Sequence, residues 1–371
     1  MNDEKQPKIR FKGFEDPWEQ RKLGDLVLIQ SGYAPSQIHP IKNAKIPYIK
    51  VDDLNHTNRD QTYSSLFSEK HSKLKEVRRG ATIFPKRGAA IMTNKIRILA
   101  QSSYMDTNMM ALIPVNIDSQ FLYTVILRTG LFKIADTSTI PQINNKHITP
   151  YLIGLPTILE QRFIGHFFKK IDSLIVANQS KLDQLKELKK LLMQKIFSQQ
   201  WRFKGFTDPW EQRKLGEIVE INSGRDYKKL GRGKIPVFGT GGYMLSVNGK
   251  LSDRDSVGIG RKGSIDKPQF LSAPFWTVDT LFFMTPKNKN DVKFIFDLSQ
   301  LIQWKKYDES TGVPSLSKST ISNIPITVTK EDEQNKVSTL FELVDKIIAA
   351  NQRRLDQLKA LKKYLMQNMF V

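Results

Sequence analysis

The chain contains no cysteine. That excludes disulfides, cysteine-ligated zinc and thiol catalysis, and makes a cytoplasmic location the expectation. Histidine is almost as scarce, five residues scattered without metal-ligand spacing, so no metal is expected. No apolar run approaches the ~20 residues that cross a bilayer, so no membrane association is expected. The opening stretch MNDEKQPKIR has no apolar core of the kind a secretory leader carries. Acidic residues are in short supply: 37 Asp and Glu stand against 58 Lys and Arg, a formal charge of +21. Such an excess favours a polyanionic partner, either nucleic acid or an acidic surface.

What the sequence does have is internal repetition. Residues 10–24 read RFKGFEDPWEQRKLG and residues 202–216 read RFKGFTDPWEQRKLG, identical at fourteen of fifteen positions at an offset of 192. A second pair, NQSKLDQLKELKKLLMQKIF at 178–197 and NQRRLDQLKALKKYLMQNMF at 351–370, recurs at an offset of 173. The order is A–B–A′–B′, and the 19-residue difference lies between the blocks. There the sequence is mostly dissimilar, with three faint echoes. Lys86-Arg87-Gly88 matches Arg261-Lys262-Gly263, and Asp106-Thr107-Asn108 matches Asp279-Thr280-Leu281. Thr139-Ile140-Pro141-Gln142-Ile143 stands where Gly312-Val313-Pro314-Ser315-Leu316 stands. One frame filled twice with different inserts points to one type of ligand read at two different sites. A chain of 371 residues suits two such domains. Residues 1–157 carry a net charge of +8 and residues 201–328 a net charge of +7, so most of the basic excess sits there.

The first block reads as a short capped helix: Asp16 suits the N-cap, Pro17 the first helical position, Glu19 a capping box and Gly24 the stop. Asp208, Pro209, Glu211 and Gly216 repeat the pattern. The second block reads as a long amphipathic helix, with Thr157 and Glu160, and Thr329 and Asp332, as N-terminal caps. No Pro or Gly interrupts residues 166–200 or 330–371, so each helix runs about 40 residues, roughly 60 Å. Ile171, Ile175, Asn178, Leu182, Leu185, Leu192 and Ile196 follow alternating steps of four and three, and Val344, Ile348, Asn351, Leu355, Leu358, Leu365 and Met369 match them. This is a coiled-coil seam. Asn178 and Asn351 are polar seam positions that set register, while Lys189 and Lys362 fall on the seam and call for a local shift in packing. Alone, each helix would leave an apolar stripe in water. An antiparallel intramolecular pairing buries both stripes; a parallel or intermolecular pairing is the alternative.

The inserts read as mixed α/β. Strands are expected at 46–51, 81–84 and 110–113 in the first and at 235–238, 256–259 and 280–284 in the second, with helices at 120–131 and 291–304. The expected fold class is therefore mixed α+β: two globular α/β domains, 1–156 and 201–328, joined by helices 157–200 and 329–371 that form an antiparallel coiled coil.

The repeated WEQRKLG blocks, the LDQLKxLKKxLMQ helices and the dissimilar inserts together resemble the specificity subunits of type I restriction–modification systems, over residues 9–371. The resemblance implies two target-recognition domains, each reading one half of a split site in double-stranded DNA. It implies that the spacer helices hold two modification subunits, which methylate adenine with S-adenosylmethionine, and that restriction subunits can join. No cofactor is then expected in this chain itself. A coiled-coil scaffold whose basic domains bind RNA or protein is the competing reading, distinguished by the lack of sequence-specific, salt-dependent binding to duplex DNA.

Within that frame the Gly-flanked turns with cations are the candidate DNA contacts. Arg261, Lys262 and Ser264 follow an expected strand, as do Lys86 and Arg87; glycine admits close backbone approach and Arg pairs bidentately with guanine. The basic stretch Arg225, Tyr227, Lys228, Lys229 and Arg232 suits phosphates, as do Lys73, Lys75, Arg78 and Arg79, and Lys95 and Arg97 are further candidates. For each, a solvated surface turn is the competing reading. Arg21, Lys22, Arg213 and Lys214 in the repeated block read first as helix surface, and Tyr243 and Trp276 as core or turn aromatics. Catalytic motifs fail on context. Adenine methyltransferases use Asn/Asp-Pro-Pro-aromatic, but Asp16-Pro17-Trp18 and Asp208-Pro209-Trp210 hold a single Pro. Gly239-Thr240-Gly241-Gly242 opens no helix, and residues 258–264 lack the Lys of a phosphate-binding loop. Asp183, Glu187 and Lys189 mimic a nuclease spacing from the edge of the coiled coil. The chain is expected to be non-catalytic.

Overall fold

The computed structural model describes residues 6–137 and 140–371; Thr139, part of the third echo, lies outside the described residues. Two compact units form, one from the residues up to Ser180 together with Gln352–Val371, the other from Lys181–Asn351. The division falls within the two long helices, Ile158–Phe197 and Glu331–Asn368. No helix among the described residues is long and apolar enough to cross a membrane.

The first unit holds a five-stranded sheet in the order Val27–Ser31, Met109–Pro114, Thr82–Pro85, Arg97–Leu99, Asp60–Gln61, antiparallel except for the last pair. Beside it lies a three-stranded sheet, Leu66–Ser68, Ile46–Ile49 and Tyr104–Met105. The second unit repeats this plan with one strand fewer. Its larger sheet runs Val219–Ser223, Leu281–Pro286, Ser256–Gly260, Gln269–Leu271, and its smaller one Gly242–Val247, Arg232–Gly239, Trp276–Thr277. Between the paired strands of the smaller sheet, the first unit inserts a 3-10 helix, Asp52–His56, and the extra strand Asp60–Gln61. The second unit closes the same place with a tight turn at Gly239 and Gly242, the latter at φ 109°. Most of the length difference between the inserts lies here. All six expected strands and both expected helices are present, the helices as Ser119–Thr129 and Val292–Leu301.

The repeated first block departs from expectation. Glu19–Lys22 is a strand paired antiparallel with Leu152–Leu155, and Glu211–Lys214 pairs likewise with Pro325–Val328. Helical turns begin only at Leu23 and Leu215. The four polar residues carry no apolar stripe at helical spacing, and all are exposed. What holds the segment is the burial of Trp18 and Leu23 at its two ends, and of Trp210 and Leu215 in the repeat. With its ends fixed, the extended backbone takes its hydrogen bonds from the strand that leads into the long helix. Arg10 and Arg202 add a second link, each bidentate to a buried carboxylate at the start of that helix. Arg10 donates to Glu160 at 2.8 Å twice, and Arg202 to Glu333 at 3.0 and 2.7 Å.

The apolar residues of the expected seam are turned inward. Ile171, Leu355, Leu365 and Met369 are buried and Ile175 and Leu358 half-buried in the first unit; Leu182 and Ile196 are buried and Leu185, Leu192, Val344 and Ile348 half-buried in the second. Within each unit the helices run antiparallel: Asp172 pairs with Lys362 at 2.6 Å and Phe168 packs on Phe370, while Lys189 pairs with Asp345 at 2.8 Å and Phe197 stacks on Phe341. The seam lysines therefore cross to an aspartate of the other helix. Asn178 and Asn351 turn their amides back to carbonyls of their own helices, Leu174 and Ile347. Of the expected caps, the Thr157 hydroxyl accepts from the Glu160 N–H at 3.4 Å, whereas the Thr329 hydroxyl donates to the Glu333 carboxylate and Lys330 opens the second helix. Each domain docks on its helix through an aromatic cluster, Trp18 with Phe121 and Phe370, and Trp210 with Phe294 and Phe197. Burying each such ring is worth about 2–3 kcal/mol.

Candidate nucleic-acid interface

The three faint sequence echoes meet in space in both units, through bonds that are equivalent once the Asp106 and Asp279 stretches are shifted by one residue. In the first, the Lys86 N–H donates to Asn108 O, the Ile143 N–H to Lys86 O and the Gly88 N–H to Pro141 O, each at 2.8 Å. In the second, the Arg261 N–H donates to Thr280 O at 2.8 Å, the Leu316 N–H to Arg261 O at 3.0 Å and the Gly263 N–H to Pro314 O at 2.8 Å. Each cationic turn thus leaves the end of a central strand and is bracketed by two other loops. Gly88 and Gly263 sit at φ 75° and 87°, where an L side chain is strained, with open space where a Cβ would point.

A fourth loop completes the cluster, carrying a signal that sequence reading missed: Ser-Gly repeats at 31–32 and 223–224, at the offset of the first block. The Tyr33 N–H donates to Met105 O and the Arg225 N–H to Thr277 O, both at 2.8 Å. A Cβ on Gly32 would lie 2.0 Å from Asp106 O, and one on Gly224 1.9 Å from Val278 O, so only glycine permits this approach. The Lys86 ammonium donates to the Ser31 hydroxyl at 2.8 Å. Its burial, and next its neighbour Arg87, push its pKa below the usual lysine value.

The cations here differ from those of the frame. Arg87, Arg225, Lys228, Lys229, Arg232, Arg261 and Lys262 are exposed and make no ion pair among the described residues. Arg10, Arg59, Lys189, Arg202 and Lys362, by contrast, are all paired with carboxylates. The Arg261 guanidinium lies 5.7 Å from the Phe282 ring centroid, which leaves its edge for other partners. Tyr227 is half-buried against the Val237 cluster, and the Trp276 indole N–H donates to Arg225 O at 2.8 Å, so both aromatics shape the loop from beneath. Tyr243 is exposed at a hairpin turn. Ser264 contributes backbone: its carbonyl packs where Gly260 leaves room. Lys73, Lys75, Arg78 and Arg79 are exposed on a loop beside the first cluster, where Lys75 exchanges hydrogen bonds with Tyr33 and Gln30.

Lys95 and Arg97 lie elsewhere. Lys95 bonds to Asn55, and Arg97 donates to Thr57 Oγ1 and to the carbonyls of Ile96 and Leu54. Burial pushes Arg97 below its ordinary pKa, and its donors hold the extra segment of the first unit in place. Arg21 and Arg213 are exposed on the edge strands, each beside a glutamate two residues before it. Asp183 and Glu187 are exposed on the first long helix. No group of three or more His, Asp or Glu side chains that could hold a metal occurs among the described residues.

With the geometry in place, comparisons with known proteins carry a consistent message. A family model described as the type I restriction modification DNA specificity domain matches the chain twice, over residues 15–187 and 207–360. The chain is 24% identical over 296 residues to the type I restriction enzyme MjaVIII specificity subunit of Methanocaldococcus jannaschii, covering 67% of this chain and 68% of that protein. It is 26% identical over 192 residues to the MjaIX specificity subunit of the same organism, covering 48% of this chain and 43% of that one. Among solved structures, the S subunit of the type I restriction–modification system from M. genitalium superposes with a TM-score of 0.70 at 18% identity, over 99% of both chains. A chain from work on complex assembly and conformational transition of the type I R-M system superposes with a TM-score of 0.55 at 16% identity, over 96% and 97%. At these identities the structural likeness speaks to the fold.

Proposed function

The chain belongs to the type I restriction–modification DNA specificity family, with two target-recognition domains in tandem, and from that premise we propose that each unit reads one half of a split duplex-DNA target through its four-loop cluster. The observation that carries the reading is the duplication itself. The same backbone hydrogen bonds recur in both units and present exposed, unpaired cations, while the residues at the tips differ. A constant scaffold with variable tips is what reading two different sequences with one fold requires. Phosphate contacts supply affinity and register, and the tips supply specificity.

The long helices serve as the docking frame. Beside the buried seam each unit exposes apolar residues at matched positions: Leu174, Leu361 and Tyr364 in the first, Ile347, Leu188 and Leu191 in the second. Two equivalent apolar patches suit two copies of one partner, the adenine-modifying subunit, with restriction subunits joining the assembly. S-adenosylmethionine then belongs to the modification subunit, and this chain, working in the cytoplasm, is non-catalytic. The test is to express the chain with its modification subunit in a host free of adenine methylation and map the methylated sites. One bipartite motif is expected, with replacement of residues 30–140 changing one half and replacement of residues 222–312 the other. The absence of a motif dependent on this chain, or binding to duplex DNA indifferent to sequence, overturns the reading.

A further inference from the structure

Among the exposed apolar side chains, one pair is matched between the inserts. Ile140 is 68% exposed and Val313 is 65% exposed, and they stand at the same offset of 173 as the helices. A lone exposed aliphatic residue needs no explanation. Two at the same place in otherwise divergent loops, each next to an unpaired cationic turn, do. Both loops are closed at their bases. Asp136 and Gln142 exchange backbone hydrogen bonds at 2.9 Å across the base of the first loop, and the Glu309 N–H donates to Ser315 O at 3.0 Å across the second. The Asp308 carboxylate tightens the second loop further, accepting from the backbone N–H groups of Ser315 at 2.9 Å and Ser310 at 3.0 Å. A proline follows each apolar residue and favours an extended backbone there, which a β-branched side chain adopts readily. The Gly88–Pro141 and Gly263–Pro314 bonds then set each tip against its cations.

We propose, on the reading given above, that Ile140 and Val313 each contact the C5-methyl group of a thymine in the major groove of their own half-site. Of the groups that base pairs present in that groove, the thymine methyl is the apolar one. A β-branched aliphatic side chain, stiff at χ1 and set beside phosphate-binding cations, is shaped to reach it at little entropic cost. Each tip selects thymine at one position.

The experiment uses the full-length chain and its mapped target duplex, with each thymine replaced in turn by deoxyuridine, which lacks only the methyl. One uracil-sensitive position per half-site is expected, weakening binding about three- to fivefold, the value of one buried methyl. Ile140→Ala should abolish the uracil sensitivity in the first half-site and leave the second intact, and Val313→Ala should do the converse. Binding to non-target duplex at low salt should be unchanged by either variant, which excludes loss of fold. A half-site without a uracil-sensitive position overturns the inference while leaving the proposed function standing, as does sensitivity that survives the substitution. If the wild-type chain shows no sequence preference at all, the proposed function is what has failed, and this inference falls with it.

Discussion

The two units solve one problem in different ways. At the junction of domain and helix, the first unit brings in Arg59, the residue just before its extra edge strand. Arg59 is 6% exposed, pairs with Asp172, donates to Gln120 Oε1 at 2.7 Å and lies 4.2 Å from the Tyr123 ring centroid. Asp172 also takes Lys362, so a buried carboxylate is met by two cations. The second unit lacks that strand. Where Thr124 stands in the first unit, it has Asp297, 3% exposed, near the Lys189–Asp345 pair. Burial pushes Asp297 up to about 7, opposed by Lys189 and assisted by Asp345 and Asp291. Closely similar frames thus leave their inserts to settle the local charge balance, and the insert with the added strand settles it more completely.

Removing the cation from the better-balanced junction should have the largest effect. Arg59→Ala leaves Asp172 with a single partner and empties the space over Tyr123. About 3 kcal/mol of stability should be lost, seen in urea denaturation as early unfolding of the first unit, with the transition of the second unchanged. The opposite change at the second junction should stabilise. The folded-state pKa of Asp297 lies above its ordinary value, so its contribution is fully present at acid pH and is lost as pH rises from about 4 through about 7. Asp297→Asn should therefore raise the melting temperature at pH 8, by the equivalent of roughly 2 kcal/mol, and leave it nearly unchanged at pH 4. A variant with the same pH profile as the parent would show that Asp297 does not titrate in this window.

Weaker effects are expected from the reading loops, which compare the units in their function rather than their stability. Arg261→Ala should weaken binding by about 1.5 kcal/mol, within the range for a lost base or phosphate contact, and only for targets altered in the second half-site should the parent's discrimination fall. Arg87→Ala should do the same for the first. Methylation maps of both variants decide whether the two effects stay separate. The smallest difference concerns the repeated tryptophans. The Trp210 indole N–H donates to Glu333 at 3.0 Å, whereas the buried Trp18 indole N–H has no partner among the described residues. Trp210→Phe should cost about 1 kcal/mol more than Trp18→Phe, and equal losses on denaturation would remove that contrast.

Some features were legible because their causes are local. The heptad spacing of Ile171, Ile175, Leu182 and Leu185, repeated from Val344 onwards, specifies a helix and the face it buries without reference to anything distant. The caps were less legible: Thr157 works as spacing suggests, but Thr329 is drawn off by Glu333, which Arg202 and Trp210 already engage. Of the candidate contacts, the Lys86 and Arg261 turns fall in the loop cluster, whereas Arg97 spends its donors on its neighbour Ile96 and on Leu54 and Thr57, which an insertion with no sequence signature contributes.

By itself, then, the sequence determined the repeat, the two long helices and the alternating frame and insert, because periodicity is a property of neighbouring residues and self-similarity needs no knowledge of which residues touch. The tertiary structure decided the rest. It turned Glu19–Lys22 and Glu211–Lys214 into strands, because the backbone partners at Leu152–Leu155 and Pro325–Val328 lie more than a hundred residues away and outweigh a local capping pattern. It gathered the turns at Lys86 and Arg261 with loops from distant parts of their inserts through hydrogen bonds that no spacing rule encodes. And it set Arg59 beside Asp172 while leaving Asp297 buried, because an edge strand present in one insert and missing from the other determines which charges are met.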